Sequence, residues 1–589
     1  MPVIPVIPTQ AEPNLATFVI FSNNEQLPED IGLNSMHIVK TINKVPKATI
    51  EFFDGDLPNE DFPLSAGNYF TPGTEIEIKA GYRSLEDTVF KGIVIKHGIE
   101  VKTDETPKLV VELRDVCVKM TVGRKNKYFE EVSDSDLIEE IISDYGFESD
   151  IEQTDVTHPE MVQYFCTDWD FMLSRADVNG QLVIVDDGLI SVKAPSMDGE
   201  PVLKLQFGHN VQEFEAGMDA RNQYAATLSK SWNSINQEVT ELEGADPGID
   251  NQGNITGSEL ADVIGLESWG LQHNGQTPDQ ELQAWADAQM MRSRMAKIRG
   301  RVSTIGYSNI KPGDIIELGG FGDRFNGTAY VSAIFQEIMP GKKWQTHIEF
   351  GLDPQWFAHV YDDILEKPAS GLLPAMSGLH PGIVTSAHDD PDGEGRIKVR
   401  IPIISNEAEG VWARIATLDA GLGDDDAARG TFFNPEVGDE VVVGFFNEDP
   451  REPVILGMLH SSSKPAPYDV TEDNNEKGII TRGQLKLTFN DDKKSVTIET
   501  PNGNKVELND DEGSILLEDE NGNKTVLDSN GIMLESASDI VLKAPGDVII
   551  EGTNAEIKAS ASFKAEGGSG AEVSTSGQAV LKGSIVQIN

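Results

Sequence analysis

Cysteine is nearly missing from this chain: Cys117 and Cys166 are the only two among 589 residues. Two thiols supply neither a disulfide framework nor a metal site by themselves, so buried free thiols are expected. Positive charge is also scarce. The 47 Lys and Arg stand against 98 Asp and Glu, a formal net charge of −51 at pH 7. That balance argues against phosphate-backbone partners and anionic membrane surfaces, both of which need clustered basic side chains, and no nucleic acid is expected. No stretch reaches the roughly 18 apolar residues of a membrane span. Residues 1–15 (MPVIPVIPTQAEPNL) lack the basic and apolar regions of a secretory signal. Their four prolines mark an extended arm. The ten histidines are scattered, with no HxH or HExxH, so neither a metal nor a cofactor is expected.

What the chain has in abundance is short-range alternation, concentrated in residues 477–589. Apolar pairs recur at i, i+2: Val496/Ile498, Val506/Leu508, Ile515/Leu517, Thr525/Leu527, Ile532/Leu534, Ile540/Leu542 and Val548/Ile550. Each pair reads as a short strand with one buried face. Leu534, Leu542 and Ile550 lie eight apart; after a one-residue slip, Ile557, Ala565, Val573 and Leu581 do so again. Upstream the spacing is looser, and Asn-Gly at 502–503, 521–522 and 530–531 marks tight corners. A fixed period of this kind signals a β-solenoid. One eight-residue row makes one wall and buries about two side chains. The other walls come either from the same chain, as a monomeric β-helix, or from two further copies. The residues expected to form the rod's core are Val496, Ile498, Val506, Leu508, Ile515, Leu517, Ile532, Leu534, Ile540, Leu542, Val548, Ile550, Ile557, Phe563, Val573 and Leu581. Val586 and Ile588 carry the alternation to the end.

Upstream the expectation is mainly β with minor α. Strands are read at 18–21, 49–52, 75–78, 89–95 and 109–113, as a barrel or sandwich. A helix carries Leu137, Ile138, Ile141, Ile142 and Tyr145, capped by Asp134 or Ser135 and ended by Gly146. Thr277 is expected to cap a second helix, with Pro278 at its first position and Gln280 three residues on, through Leu282, Trp285 and Met295. Residues 378–460 hold five short strands, which fits a small Greek-key barrel such as an OB-fold. Residues 461–476 link that barrel to the rod.

Five runs in the barrel segment carry a family likeness: GLHPGIVT at 378–385, DGEGRIKVR at 392–400, VWARIA at 411–416, FNPEVGDEVVV at 433–443 and NEDPREPVILG at 447–457. They resemble the OB domain of VgrG-like spike proteins of contractile injection systems: type VI secretion, extracellular phage-like injectors and phage tails. Upstream, Val122-Gly123-Arg124, Tyr145-Gly146, and Gln163-Tyr164 before Asp170-Phe171-Met172-Leu173 resemble the hub of that family. The strand after Arg396 departs from the common bacterial pattern, ending VRIP at 399–402 without the usual aromatic and charged run. The resemblance implies a baseplate-hub-like region at 16–367 with barrel and α/β parts, an OB collar at 378–460 and a three-stranded intertwined β-helix needle at 477–589. It implies a homotrimer that caps the hexameric inner tube, meets baseplate components and punctures a target envelope. A PAAR-repeat-like tip protein would dock at Ile585, Val586, Gln587, Ile588 and Asn589, with effectors as cargo. Such a protein stays in the cytoplasm until the assembly fires, then reaches the exterior or the target cell.

No catalytic constellation is expected. Asp389, Asp390 and Asp392 around Pro391 read as a turn rather than a calcium loop. Asp424-Asp425-Asp426 reads as a solvated loop, and Gly319-Gly320-Phe321-Gly322 as a hairpin turn rather than a phosphate loop. Asp168/Asp170 and Glu139/Glu140 sit on helices and suit their polar ends and faces. The competing reading is a tail-associated β-helical enzyme degrading polysaccharide or peptidoglycan. It needs clustered carboxylates on the rod, where Asp510, Asp511, Glu512, Asp519 and Glu520 lie near bends. A glycan-binding adhesin would need exposed aromatics there, and only Phe489 and Phe563 occur.

Overall fold

The computed structural model describes residues 16–588; the proline-rich arm at 1–15 and Asn589 lie outside the described residues. Strands take 39% of the chain and helices 12%, so the protein is mainly β with minor α. It divides into two compact units: residues 1–377 with 446–450, and residues 378–445 with 451–589.

The first unit is organised by one thirteen-stranded sheet. Its main path runs Val211–Met218, Ile298–Ile305, Gln345–Phe350, Gly327–Ile338, Leu33–Thr41, Lys47–Phe53, Lys108–Arg114, Leu85–Glu100, Glu75–Tyr82, Ala16–Ser22 and Glu25–Gln26. The expected barrel or sandwich at 16–114 is thus part of a longer sheet whose path is open at both ends. Strict alternation makes it: in Glu75–Tyr82, Ile76, Ile78 and Ala80 point inward between Glu75, Glu77 and Lys79. Register shifts between Ile78 and Lys79, Val94 and Lys96, and Val331 and Ala333 add the extra residues that bend such long strands. The curved sheet serves two cores. One gathers Met36, Ile50, Phe52, Phe70, Phe90 and Trp344, the other Val302, Ile316, Val331, Ile348 and Phe350.

Helices cluster on a third core. Asp134–Ser143 buries Leu137, Ile138, Ile141 and Ile142, but its cap is Ser133, whose hydroxyl accepts from the Asp136 amide at 3.1 Å. Neither Asp134 nor Ser135 caps it; both are buried and bonded elsewhere. Asp168–Val178 is capped by Thr167, with Asp168 and Asp170 in its first turn. The helix expected after Thr277 runs Asp279–Met295 and has no side-chain cap. Pro278, at ψ 140°, is still extended and occupies the cap position itself. The Thr277 hydroxyl instead meets His273 Nδ1 at 3.3 Å. A full capping box exists one helix earlier, where Thr256 and Glu259 bond reciprocally ahead of Gly257–Ile264. Gly319 to Gly322 turn between Ile315–Gly319 and Gly327–Ile338, as expected. Cys117 and Cys166 are free and buried, and burial pushes both thiols up.

The second unit opens with a closed five-stranded barrel: His380–Ser386, Ile397–Arg400, Val411–Ile415, Pro453–Met458 and Glu440–Phe445. Val384, Ile397, Val399, Ala413, Val441, Val443 and Ile455 fill it. Gly382 is a close-approach position, since a Cβ there would lie 2.8 Å from Val443 and 3.0 Å from Val399. A ribbon of Ala420–Leu422 and Ala428–Gly430 leaves the barrel and turns at Asp424, Asp425 and Asp426, all exposed. Beyond it a separate seven-stranded sheet forms an antiparallel meander from Glu476–Ile480 to Gly531–Glu535.

Candidate assembly surface

The meander is built from five-residue strands joined by turns that need left-handed backbone. Gly503, Gly513, Gly522 and Gly531 have φ of 90°, 60°, 86° and 119°. At the 519–523 turn, the Asp519 carboxylate accepts from the Asn521 and Asn523 amides at 2.9 and 2.8 Å. The Asn523 side-chain amide, which donates to the same carboxylate at 2.7 Å, together with these backbone amides holds its carboxyl below the usual range. Asp519 is thereby a structural turn residue.

Register then sorts the two faces. Phe489 opposes Val496, Val496 opposes Leu508, Leu508 opposes Ile515, Ile515 opposes Leu527, and Leu527 opposes Ile532. A second row runs Ile479, Leu487, Ile498, Val506, Leu517, Thr525 and Leu534. From Lys486–Asn490 onward, two residues of the same face on each strand thus form two parallel rows, apolar except at Thr525, and Ile479 extends one of them to the first strand. The opposite face carries Lys486, Glu499, Lys505, Glu518, Lys524 and Glu535 in cross-strand register, a ladder of alternating sign, beside a mixed row of Thr488, Thr497, Glu507, Leu516, Val526 and Met533. Lys486–Glu499 and Lys524–Glu535 close at 3.4 and 3.2 Å.

The apolar face lies open. Ile532 is 75% exposed and Leu534 58%, and Ile498, Leu508, Ile515 and Leu517 are exposed beside them. A trough of about 440 Å³ runs along it, lined by Ile498, Val506, Leu517, Thr525, Leu534 and Ile540. Large open apolar faces mark interaction surfaces. The remaining expected core positions, Ile540, Leu542, Val548, Ile550, Ile557, Phe563, Val573 and Leu581, lie in 536–588 and are all exposed. Among the described residues, that segment contains no strand and no backbone-to-backbone hydrogen bond. Among the described residues, the strands of the sheet thus reverse at each turn rather than coil, and the octad segment has no partner strand. Ile585, Val586, Gln587 and Ile588 are exposed at the far end.

The upstream motifs converge as well. Asp168, buried at the start of its helix, accepts from Lys125 Nζ at 2.5 Å, Tyr145 Oη at 2.6 Å and Gln163 Nε2 at 2.8 Å. Burial opposes its charge, but these donors outweigh burial and hold its carboxyl below the usual range. Arg124 reaches the carbonyls of Phe165 and Ile364 at 3.1 Å and of Asp363 at 2.6 Å. The separated sequence pieces thus form one polar knot. Glu139 and Glu140 lie on the exposed face of their helix, with Lys127 2.7 Å from Glu140.

A second buried cluster was not read from the sequence. Asp134 takes Arg175 Nε at 2.6 Å, Arg175 Nη2 at 2.9 Å and Asn179 Nδ2 at 2.8 Å, with His158 Nε2 3.3 Å away. Arg175 also reaches Glu281 at 2.8 Å. Every side chain there is committed to another, so the cluster ties helices together. In the barrel, Asp390 is held by Arg396 Nη2 at 2.6 Å and by the Glu394 amide at 2.9 Å, which makes the expected turn. Among the described residues, no three His, Cys, Asp or Glu are placed to hold a metal, and no helix is long and apolar enough to cross a membrane.

Comparison with known families matches residues 12–340 to the Alg8 N-terminal domain. Residues 380–460 match the type VI secretion system/phage-baseplate injector OB domain, and 495–589 the phage baseplate V C-terminal trimerisation domain. The last two matches define the class: a spike-like protein of the VgrG and phage-baseplate kind. The first covers over half the chain, which therefore belongs to the Alg8 N-terminal domain family. Among curated proteins, the type VI secretion system spike protein VgrG3 of Vibrio cholerae is 33% identical over 116 residues, 18% of this chain and 11% of that protein. VgrG1b of Pseudomonas aeruginosa is 27% identical over 129 residues, 20% of this chain and 17% of that protein. The chain thus spans under a fifth of the length of these relatives. Among solved structures, a tail protein from Neisseria meningitidis is 11% identical, covering 58% of this chain and 98% of its own, with a TM-score of 0.44. A score of that size does not establish a shared fold.

Proposed function

We propose that three copies of this chain form the central spike of a contractile injection system, which caps the inner tube and punctures a target envelope on contraction. The observation that carries the reading is the open pair of apolar rows across the sheet, most of which lies in the segment matched to a trimerisation domain. Three such faces turned inward would shield one another and leave the alternating charge ladders to solvent. In this reading Val496, Ile498, Val506, Leu508, Ile515, Leu517, Ile532 and Leu534 line the upper shaft, and the octad residues continue it. The 16–367 region meets the hexameric tube protein and baseplate. The exposed apolar end at 585–588 receives a PAAR-like tip protein, and effectors ride with it. The spike works mechanically, not as an enzyme, and waits in the cytoplasm until it is fired.

The test is mass in solution by light scattering after size exclusion. A mass near 193 kDa, three times the 64.2 kDa chain, is expected. A stable monomer at micromolar concentration overturns the reading.

A further inference from the structure

The two halves of the shaft behave differently although their sequences look alike. Residues 476–535 pair strand by strand within the chain, each neighbour antiparallel and in full register. Residues 536–588 carry the more regular apolar period, yet form no strand of their own. The cause is readable in the turns. Upstream, left-handed glycines at 503, 513, 522 and 531 fold the chain back on itself. After Gly531 no Asn-Gly recurs, and among the described residues none beyond it has positive φ. A chain that does not reverse cannot pair with its own preceding row. Its backbone N–H and C=O groups then need strands supplied by other copies.

We propose that the shaft is a trimer built in two stages, with residues 476–535 as a register-setting clamp for residues 536–588. The inference rests on the three-copy reading and assigns distinct tasks to the two halves. Each copy first folds its own sheet, and three sheets close over their apolar rows, with a second copy as the occupant of the Ile498–Leu517–Leu534 trough. Closure holds three unpaired segments side by side in one register. That raises their effective concentration and turns the winding of 536–588 into an intramolecular step. The octad then selects which rows meet, since a one-residue slip would turn every apolar side chain outward.

The experiment uses full-length protein and two double variants, read by light scattering and by peptide-level hydrogen exchange. In the wild type, a trimer with both halves protected is expected. Leu542→Asp/Ile550→Asp strikes only the second half: the mass stays trimeric, 476–535 stays protected, and protection of 536–588 is lost. Leu508→Asp/Leu517→Asp strikes the clamp: the mass falls to the monomer and 536–588 exchanges freely. A third measurement does not depend on any variant. On refolding wild-type chain from denaturant, pulse labelling should protect 476–535 before 536–588. A wild-type trimer that dissociates fully on Leu542→Asp/Ile550→Asp, or in which 536–588 is protected first, overturns the two-stage shaft and leaves the spike reading intact. A monomeric wild type overturns the spike reading itself.

Discussion

At the scale of single residues, one tight constraint in the first unit is the seat of an indole against a glycine. Trp344 is buried, donates Nε1–H to Gln336 Oε1 at 2.8 Å and stacks on Tyr82 at 5.5 Å between centroids. Gln336 is fixed in turn by the Thr346 hydroxyl at 2.6 Å and by donating to the Tyr307 carbonyl at 2.8 Å. The ring lies against Gly306, where a Cβ would sit 1.9 Å from Trp344. Gly306→Ala should therefore displace the indole and strand its donor, at a cost of about 3 kcal/mol, the upper end for overpacking a core. Urea denaturation followed by tryptophan fluorescence checks this, and a change below about 1 kcal/mol would show that the ring relaxes freely. Nothing in the sequence announced the contact. Gly306 follows Ile298–Ile305 and Trp344 precedes Gln345–Phe350, so both lie just outside the strands, where alternation says nothing about which groups meet.

At the scale of elements, the helices are joined by buried charge as well as by their apolar core. Arg292, Arg294 and Lys297 at the end of Asp279–Met295 are all buried, and pair with Asp177, Asp246 and Asp250. The Asp134 cluster ties the start of that helix to two others through Arg175 and Glu281. Burial works against the Asp134 charge, but His158, Arg175 and Asn179 outweigh it and hold the carboxyl well below the usual range. A carboxyl depressed on folding contributes stability that is present above its unfolded value, about pH 4, and is lost as pH falls through the folded one. Asp134→Asn should cost about 3 kcal/mol at neutral pH, because it leaves buried Arg175 with Glu281 alone. It should also flatten the acid limb of the stability curve below about pH 4. An unchanged acid limb in thermal melts would place that sensitivity elsewhere. Strand alternation and turn chemistry made most strands of the barrel and meander legible. Helix starts were less so. Ser133 takes the cap next to two residues equally able to do it, and an extended Pro278 displaces Thr277. The ion network escaped because its members lie on four separate elements with no shared period.

At the scale of the whole molecule, charge and apolar surface pull in opposite directions. Each chain carries a formal charge of −51, so three brought together repel one another. The meander offers few free cations to offset this between copies, since Lys486 with Glu499, Lys505 with Glu507 and Lys524 with Glu535 already pair within one chain. The face left for a neighbouring copy is apolar. Association should thus be driven by burial and opposed by long-range repulsion, which salt screens as the Debye length falls from about 30 Å at 0.01 M to about 8 Å at 0.15 M. Trimer stability should therefore rise with salt, with the midpoint concentration for dissociation falling on the order of tenfold across that range, a difference of about 2.7 kcal/mol per trimer because the three-chain dissociation constant scales as the square of that concentration. Sedimentation equilibrium in sodium chloride reads it directly. A trimer that loosens as salt is added would mean that ion pairs between copies, rather than the apolar rows, hold the shaft together.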